Sequence, residues 1–239
     1  MAKDTSLGLS LSKAPVRPLS CATVCGLCLL LAATAPLPAG EPQWYLPVNA
    51  PDRQSFRGVG LTAIGMFGEE RRARPQVPAH LHTGIDIRRP DSSYTDQPVF
   101  PASSGTVVSV RDDGPYAQVI VRHDDVWSGT VHTVYEHLSG IRVAVGDSVA
   151  ADRPLGRYMN RDELDSYGWQ FDHLHFEVMK AEPRPVKPVP GTPQRLFDTF
   201  ALHCRTVDEL RERYWSPVEF LERAWVDADT VSLRGHFGP

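Results

Sequence analysis

Two histidines stand two residues apart in the hexamer His173-Leu-His-Phe-Glu-Val178. In an extended chain alternate side chains point to opposite faces, so His173, His175 and Glu177 share one face and Leu174, Phe176 and Val178 the other. With the apolar set turned to a core, both imidazoles face a second layer or a cleft, where they can bind a metal or carry protons. His82-Thr-Gly-Ile-Asp86 offers another imidazole and a carboxylate. Fully extended, their Cα atoms would be about 13 Å apart, and Gly84 between them can bend the backbone without steric penalty. Tyr135-Glu136-His137-Leu138 closes an alternating segment with a further imidazole. Each motif alone is ambiguous: a histidine pair can be structural, Asp86 can cap the turn before Arg88-Arg89-Pro90, and a histidine at a strand end is commonly a surface residue. Together they supply two imidazoles and one carboxylate for a divalent ion, an open position for water, and spare histidines for proton transfer.

The elements that must hold these residues read as β. Val99–Val110 predicts two short strands broken at Ser104–Gly105; 117–122 and 130–138 alternate and are rich in β-branched residues; Val143–Val149 places Gly146-Asp147 in a valine-rich run, a hairpin signal. Leu61–Phe67 predicts another strand, followed by a charged loop over Gly68–Ala79. Short strands with Gly and Pro punctuation specify an antiparallel sandwich or barrel. Residues 181–194 are Pro-rich and extended. Residues 206–226 predict a helix with Thr206 as N-cap, interrupted at Ser216–Pro217. The expected organisation is a leader over 1–39, a β domain over 40–180 and a Pro-rich, helical extension over 181–239 packed on it.

The leader expectation rests on Lys3, Lys13 and Arg17, the apolar run Cys21–Ala35, and the small-residue segment that allows cleavage after Ala39. The run is short for a membrane span, so a membrane anchor follows only if the leader is retained. Its removal would take three of the four cysteines and leave Cys204, so a metal site must be built from histidine and carboxylate. A formal charge of −4, with no Lys/Arg cluster, argues against nucleic acid as a partner.

Taken in order, Ile64-Gly-Met-Phe-Gly68, His82-Thr-Gly-Ile-Asp-Ile87, Val99–Val107, Val119–His123, Tyr135-Glu-His-Leu138, Val145–Val149 and His173–Val178 resemble the lysostaphin/LytM family of zinc endopeptidases over residues 60–180. Ser216–Leu221 resembles the segment that often closes such domains. The resemblance implies a mainly β, antiparallel sandwich or half-barrel of the duplicated hybrid motif type. It implies His82, Asp86 and His175 as ligands of one zinc ion, His137 and His173 as unliganded catalytic residues, and peptidoglycan peptide as substrate of a periplasmic or secreted monomer. His80, His123, His132, His203 and His236 are then structural or surface residues. Glu177 or Glu136 could orient an imidazole, with solvated carboxylates as the expectation for both. The glycine-rich loop usual before the last motif is replaced by Arg157–Asp172, whose acidic residues (Asp162, Glu163, Asp165, Asp172) are likewise expected in solvent.

Two other classes compete. A biotinyl or lipoyl carrier needs a lysine at a hairpin tip, and none lies between Lys13 and Lys180; a sugar-phosphotransferase module conflicts with the leader. A catalytically inactive relative that activates another wall hydrolase would characteristically have lost ligands, whereas every ligand position here is filled.

Overall fold

The structure, a computed structural model, describes residues 43–126 and 129–236. The expected leader lies outside these residues. Among them, no helix is long and apolar enough to cross a membrane.

The strands in chain order are β1 (Glu70–Arg71), β2 (His80–Leu81), β3 (Ile85–Arg88), β4 (Pro98–Val99), β5 (Gly105–Arg111), β6 (Gln118–Val126), β7 (Gly129–Glu136), β8 (Leu138–Ser139), β9 (Ser148–Val149) and β10 (Gly156–Tyr158). Helix α1 (Arg161–Tyr167) precedes β11 (His173–Met179), β12 (Arg184–Pro185) and β13 (Phe197–Asp198); α2 (Val207–Arg213), β14 (Tyr214–Trp215) and α3 (Pro217–His236) follow. The principal sheet has the order β14-β11-β7-β6-β5-β9, with β3 also paired to β11, and its pairings are antiparallel. This is the mainly antiparallel β fold that the alternating segments specify.

Period-two alternation gives the sheet two apolar faces. On one, Val119, Tyr135, Phe176 and Val178 pack with Trp44, Leu46 and Val48 of the N-terminal segment and with Phe220 and Leu221 of α3. Trp44 meets Phe220 edge-on at 4.7 Å and accepts a hydrogen bond at its carbonyl from Trp225 Nε1, so α3 and residues 43–50 are locked together. On the other face Ile120, Val134 and Met179 pack with Cys204, Leu210 and Tyr214. The segment after β11 therefore covers that face, and Ser109 fastens it by accepting from the Leu196 and Phe197 amides at 3.1 Å.

Several expectations need correction. Leu61–Phe67 forms turns with one isolated bridge, Leu61 to Ile87, because its amides bond locally, as Gly65 N–H does to Thr62 O. Part of the charged loop after it is strand: β1 pairs with β2. At Val143–Val149 the turn at Gly146 is present, with φ of 94°, but only its C-terminal side forms a strand, β9 against β5. Arg157–Asp172 contains α1, started by a capping box in which Asn160 accepts from the Glu163 amide and Glu163 from the Asn160 amide. Thr206 and Glu209 cap α2 in the same way. The helix expected over 206–226 is two: β14 intervenes, pairing with Val178 and Met179, and α3 starts at Pro217, where a missing N–H costs nothing, and continues to His236.

Candidate metal centre

The register of β11 assembles the centre. His175 lies opposite Asp86 of β3 and, on its other side, opposite Glu136 of β7. His82 reaches the same point because the chain between β2 and β3 runs hard against β11: a Cβ on Gly84 would lie 2.3 Å from the Phe176 carbonyl oxygen. Asp86 Oδ1 is 2.9 Å from His175 Nδ1 and 3.0 Å from His82 Nε2, and the two nitrogens are 3.0 Å apart. All three residues are buried, and together they form a group that could hold a metal ion.

Each of the three presents one atom inward because its other polar atom is engaged. His82 Nδ1–H donates to the Met66 carbonyl at 2.8 Å, leaving Nε2 bare. His175 Nε2–H donates to Glu177 Oε1 at 3.0 Å, so Nδ1 is the atom turned to Asp86 and the centre. Asp86 Oδ2 accepts from Arg71 Nη2 at 2.8 Å, leaving Oδ1. Fixing the far side of a ligand in this way sets its tautomer and aim.

The donor set fits a zinc ion. A tetrahedral zinc with bonds of about 2.0–2.1 Å spaces its ligands about 3.3 Å apart, and the triangle of inward-facing atoms is only slightly tighter. The electrostatics agree. Burial opposes a charge on Asp86, yet the His175 and His82 rings that face it prevail and hold its carboxyl far below the usual range. Burial also opposes a charge on His175, but its bonds to Asp86 and Glu177 raise its pKa well above the ordinary value. Asp86 thus favours a positive neighbour, the place a bound cation would take.

His137 and His173 border the same point. His173 Nε2 is 3.5 Å from Asp86 Oδ1, and the His137 and His173 rings meet edge-on with centroids 4.7 Å apart. Strict alternation along β7 puts His137 on the core face with Tyr135; instead the backbone at His137 is left-handed, with φ of 65°, which departs from that alternation. Its Nδ1–H donates to the Pro115 carbonyl at 2.7 Å, so Nε2 is the atom left to take a proton. Burial lowers the pKa of His137, and that of His173 to about 3, so both rings are neutral bases at pH 7.

All five residues lie within a stretch, 80–188, that matches the model of Peptidase family M23. That match spans a little under half of the chain and includes every residue of the centre. The match agrees with the lysostaphin/LytM resemblance of the sequence motifs. Stage II sporulation protein Q of Bacillus subtilis (strain 168) is 30 % identical over 130 residues, which is 50 % of this chain and 43 % of that protein, so under half of the relative's length is represented. Among solved structures, a SpoIIIAH and SpoIIQ complex matches at 27 % identity, covering 55 % of this chain and 90 % of that one, with a TM-score of 0.37. Lysostaphin from Staphylococcus simulans matches at 22 %, covering 70 % and 50 %, with a TM-score of 0.42.

The centre opens into a groove of about 890 Å³. Tyr116, Trp169 and Phe171 contribute aromatic surface, Arg71, Arg72 and Arg74 positive charge, and Leu202, beyond the matched stretch, an exposed apolar side chain. His80 lines it too, whereas His123 and His132 are buried outside the cluster. Three carboxylates expected in solvent are structural. Glu177 is 1 % exposed and accepts from His175 and from the Thr83 hydroxyl. Glu163 pairs with Arg157 and caps α1, and Asp172 pairs with Arg89 at 3.0 Å. Glu136 is partly exposed and accepts from Gln118 Nε2 at 2.6 Å. The role of Glu177 has a signal in the sequence, its place on the histidine face two residues after His175; Arg71 has none, because nothing in a charged loop distinguishes one arginine from its neighbours.

Proposed function

We propose that the M23 domain hydrolyses peptide bonds of bacterial peptidoglycan, with one zinc ion held by His82 Nε2, Asp86 Oδ1 and His175 Nδ1. The observation that carries this reading is the meeting of three inward-facing ligand atoms within 3.0 Å of one another, each with its far side tied. When bound, zinc would supply a Lewis acid and a coordinated water acidified to a pKa of about 7. The protein's own residues do the remaining work. His137 and His173, neutral and beside the centre, accept the proton released on attack and return it to the leaving amine. The imidazolium so formed stands next to the developing oxyanion and stabilises it. The aromatic walls of the groove, with Arg72 and Arg74, hold an extended peptide across the centre. Such a substrate puts the chain in the bacterial cell envelope.

A second reading, a relative that acts by binding another envelope protein, is favoured by the 30 % identity to a protein named for sporulation and not for hydrolysis. Digestion of purified peptidoglycan followed by mass spectrometry of the fragments separates the two. The first reading expects new peptide termini with the wild-type chain and none with His175→Ala. Intact peptidoglycan after treatment with zinc-loaded, folded protein overturns it in favour of the second.

A further inference from the structure

The role of Arg71 rests on the metal-centre reading and goes beyond it. A carboxylate can bind a metal through one oxygen or both, and the choice decides how many positions remain for water and substrate. Asp86 Oδ1 is the point on which His82, His175 and His173 converge, at 3.0, 2.9 and 3.5 Å. Asp86 Oδ2 faces away from that convergence and is taken by Arg71 Nη2 at 2.8 Å. The arginine's place is set by backbone as well as by charge. Arg71 lies on β1 directly opposite His80, and the flanking Glu69 carbonyl accepts from the His82 amide at 2.8 Å. The guanidinium is therefore registered to the same segment that delivers His82. Arg72 and Arg74 line the groove with no ion pair among the described residues, so the contact singles out one arginine of three.

We propose that Arg71 is a positioning residue that restricts Asp86 to one-oxygen ligation by occupying its Oδ2, so that the metal keeps an open coordination position. A charge-assisted N–H···O bond of this length is among the stronger hydrogen bonds available to a carboxylate. Removing it frees Oδ2 to turn onto the ion. Lysine at position 71 restores a positive partner without the planar fork and so recovers the effect only in part.

The test is the visible spectrum of the cobalt(II)-substituted protein, since absorption by cobalt falls as its coordination number rises above four. Wild type, Arg71→Ala, Arg71→Lys, Arg72→Ala and Arg74→Ala would each be loaded with one equivalent and compared, with near-ultraviolet circular dichroism as the check on folding. The expected result is a severalfold weaker band for Arg71→Ala, an intermediate one for Arg71→Lys, and wild-type spectra for the other two. In turnover of wall fragments by the zinc forms, Arg71→Ala lowers kcat with little change in KM. Equal cobalt spectra for wild type and a folded Arg71→Ala overturn the proposal while leaving the metal centre standing. A wild-type chain that binds no cobalt overturns the metal-centre reading itself, and this assignment with it.

Discussion

His175 and Asp86 stand opposite each other on neighbouring antiparallel strands, with Nδ1 2.9 Å from Oδ1. The centre is thus a product of strand register. A slip of β11 by one residue would bring Leu174 or Phe176 opposite Asp86 and turn both histidines into the core. Because β11 is also paired with β7 and β14, such a slip would break three pairings at once.

His175→Ala removes one of three donor atoms and is expected to abolish both zinc retention and hydrolysis. His137→Ala leaves the donor triangle whole; it should keep one zinc per chain and lose about 10²–10⁴-fold in kcat, the usual contribution of a general base. Metal analysis after gel filtration, alongside turnover, checks the pair. Turnover persisting in the His175 variant would count against the assignment.

Glu177 acts through His175. Its Oε1 receives the His175 Nε2–H and the Thr83 hydroxyl, and its Oε2 has no partner among the described residues. Glu177→Ala should weaken zinc binding about 10–100-fold, the usual cost of losing a ligand's outer partner. Glu177→Gln, whose amide oxygen can still accept from the imidazole, should lose less. Competition with a chromophoric chelator measures both; an affinity unchanged in Glu177→Ala would assign the carboxylate to packing alone.

Gly84 is required by proximity. A methyl group there would meet the Phe176 carbonyl at 2.3 Å and the Glu177 side chain at 3.1 Å, so β3 would have to move away from β11. Gly84→Ala is therefore expected to lower the melting temperature and to reduce zinc affinity together, since the same displacement draws Asp86 from His175. A variant that melts with the wild type and binds zinc equally would show that the two strands can separate freely there.

The sequence carries the parts of this arrangement that are written as period or as residue type. Alternation in 173–178 by itself separates the histidines from the core, and the Thr206–Glu209 spacing announces a helix start that is present. What a local pattern does not carry is pairing at a distance. Nothing local joins Arg71 to Asp86, because that contact depends on β1 folding back on β2. The same is true of Leu202, which reaches the groove because Leu81 N–H bonds to the Cys204 carbonyl at 2.7 Å. His137 escapes the pattern for a different reason: alternation is a property of extended backbone, and the chain leaves that region at this residue.

His123 makes a prediction about stability apart from the centre. The ring is 1 % exposed, its Nδ1–H donates to the Ser104 carbonyl at 2.8 Å, and its Nε2 lies 2.7 Å from Thr133 Oγ1. Burial pushes its pKa down to about 4 in the folded chain, from 6.5 when exposed. Between those values the unfolded chain binds a proton that the folded chain refuses. Stability from this residue is therefore complete above pH 6.5 and lost as pH falls toward 4. At pH 5 the loss amounts to about 2 kcal/mol. Urea unfolding at pH 7.5 and pH 5.0 measures it when wild type and His123→Gln are compared, because the contributions of the other histidines cancel in the difference. The wild type should lose about 2 kcal/mol more than the variant, and equal losses would mean that the ring is protonated in the folded protein.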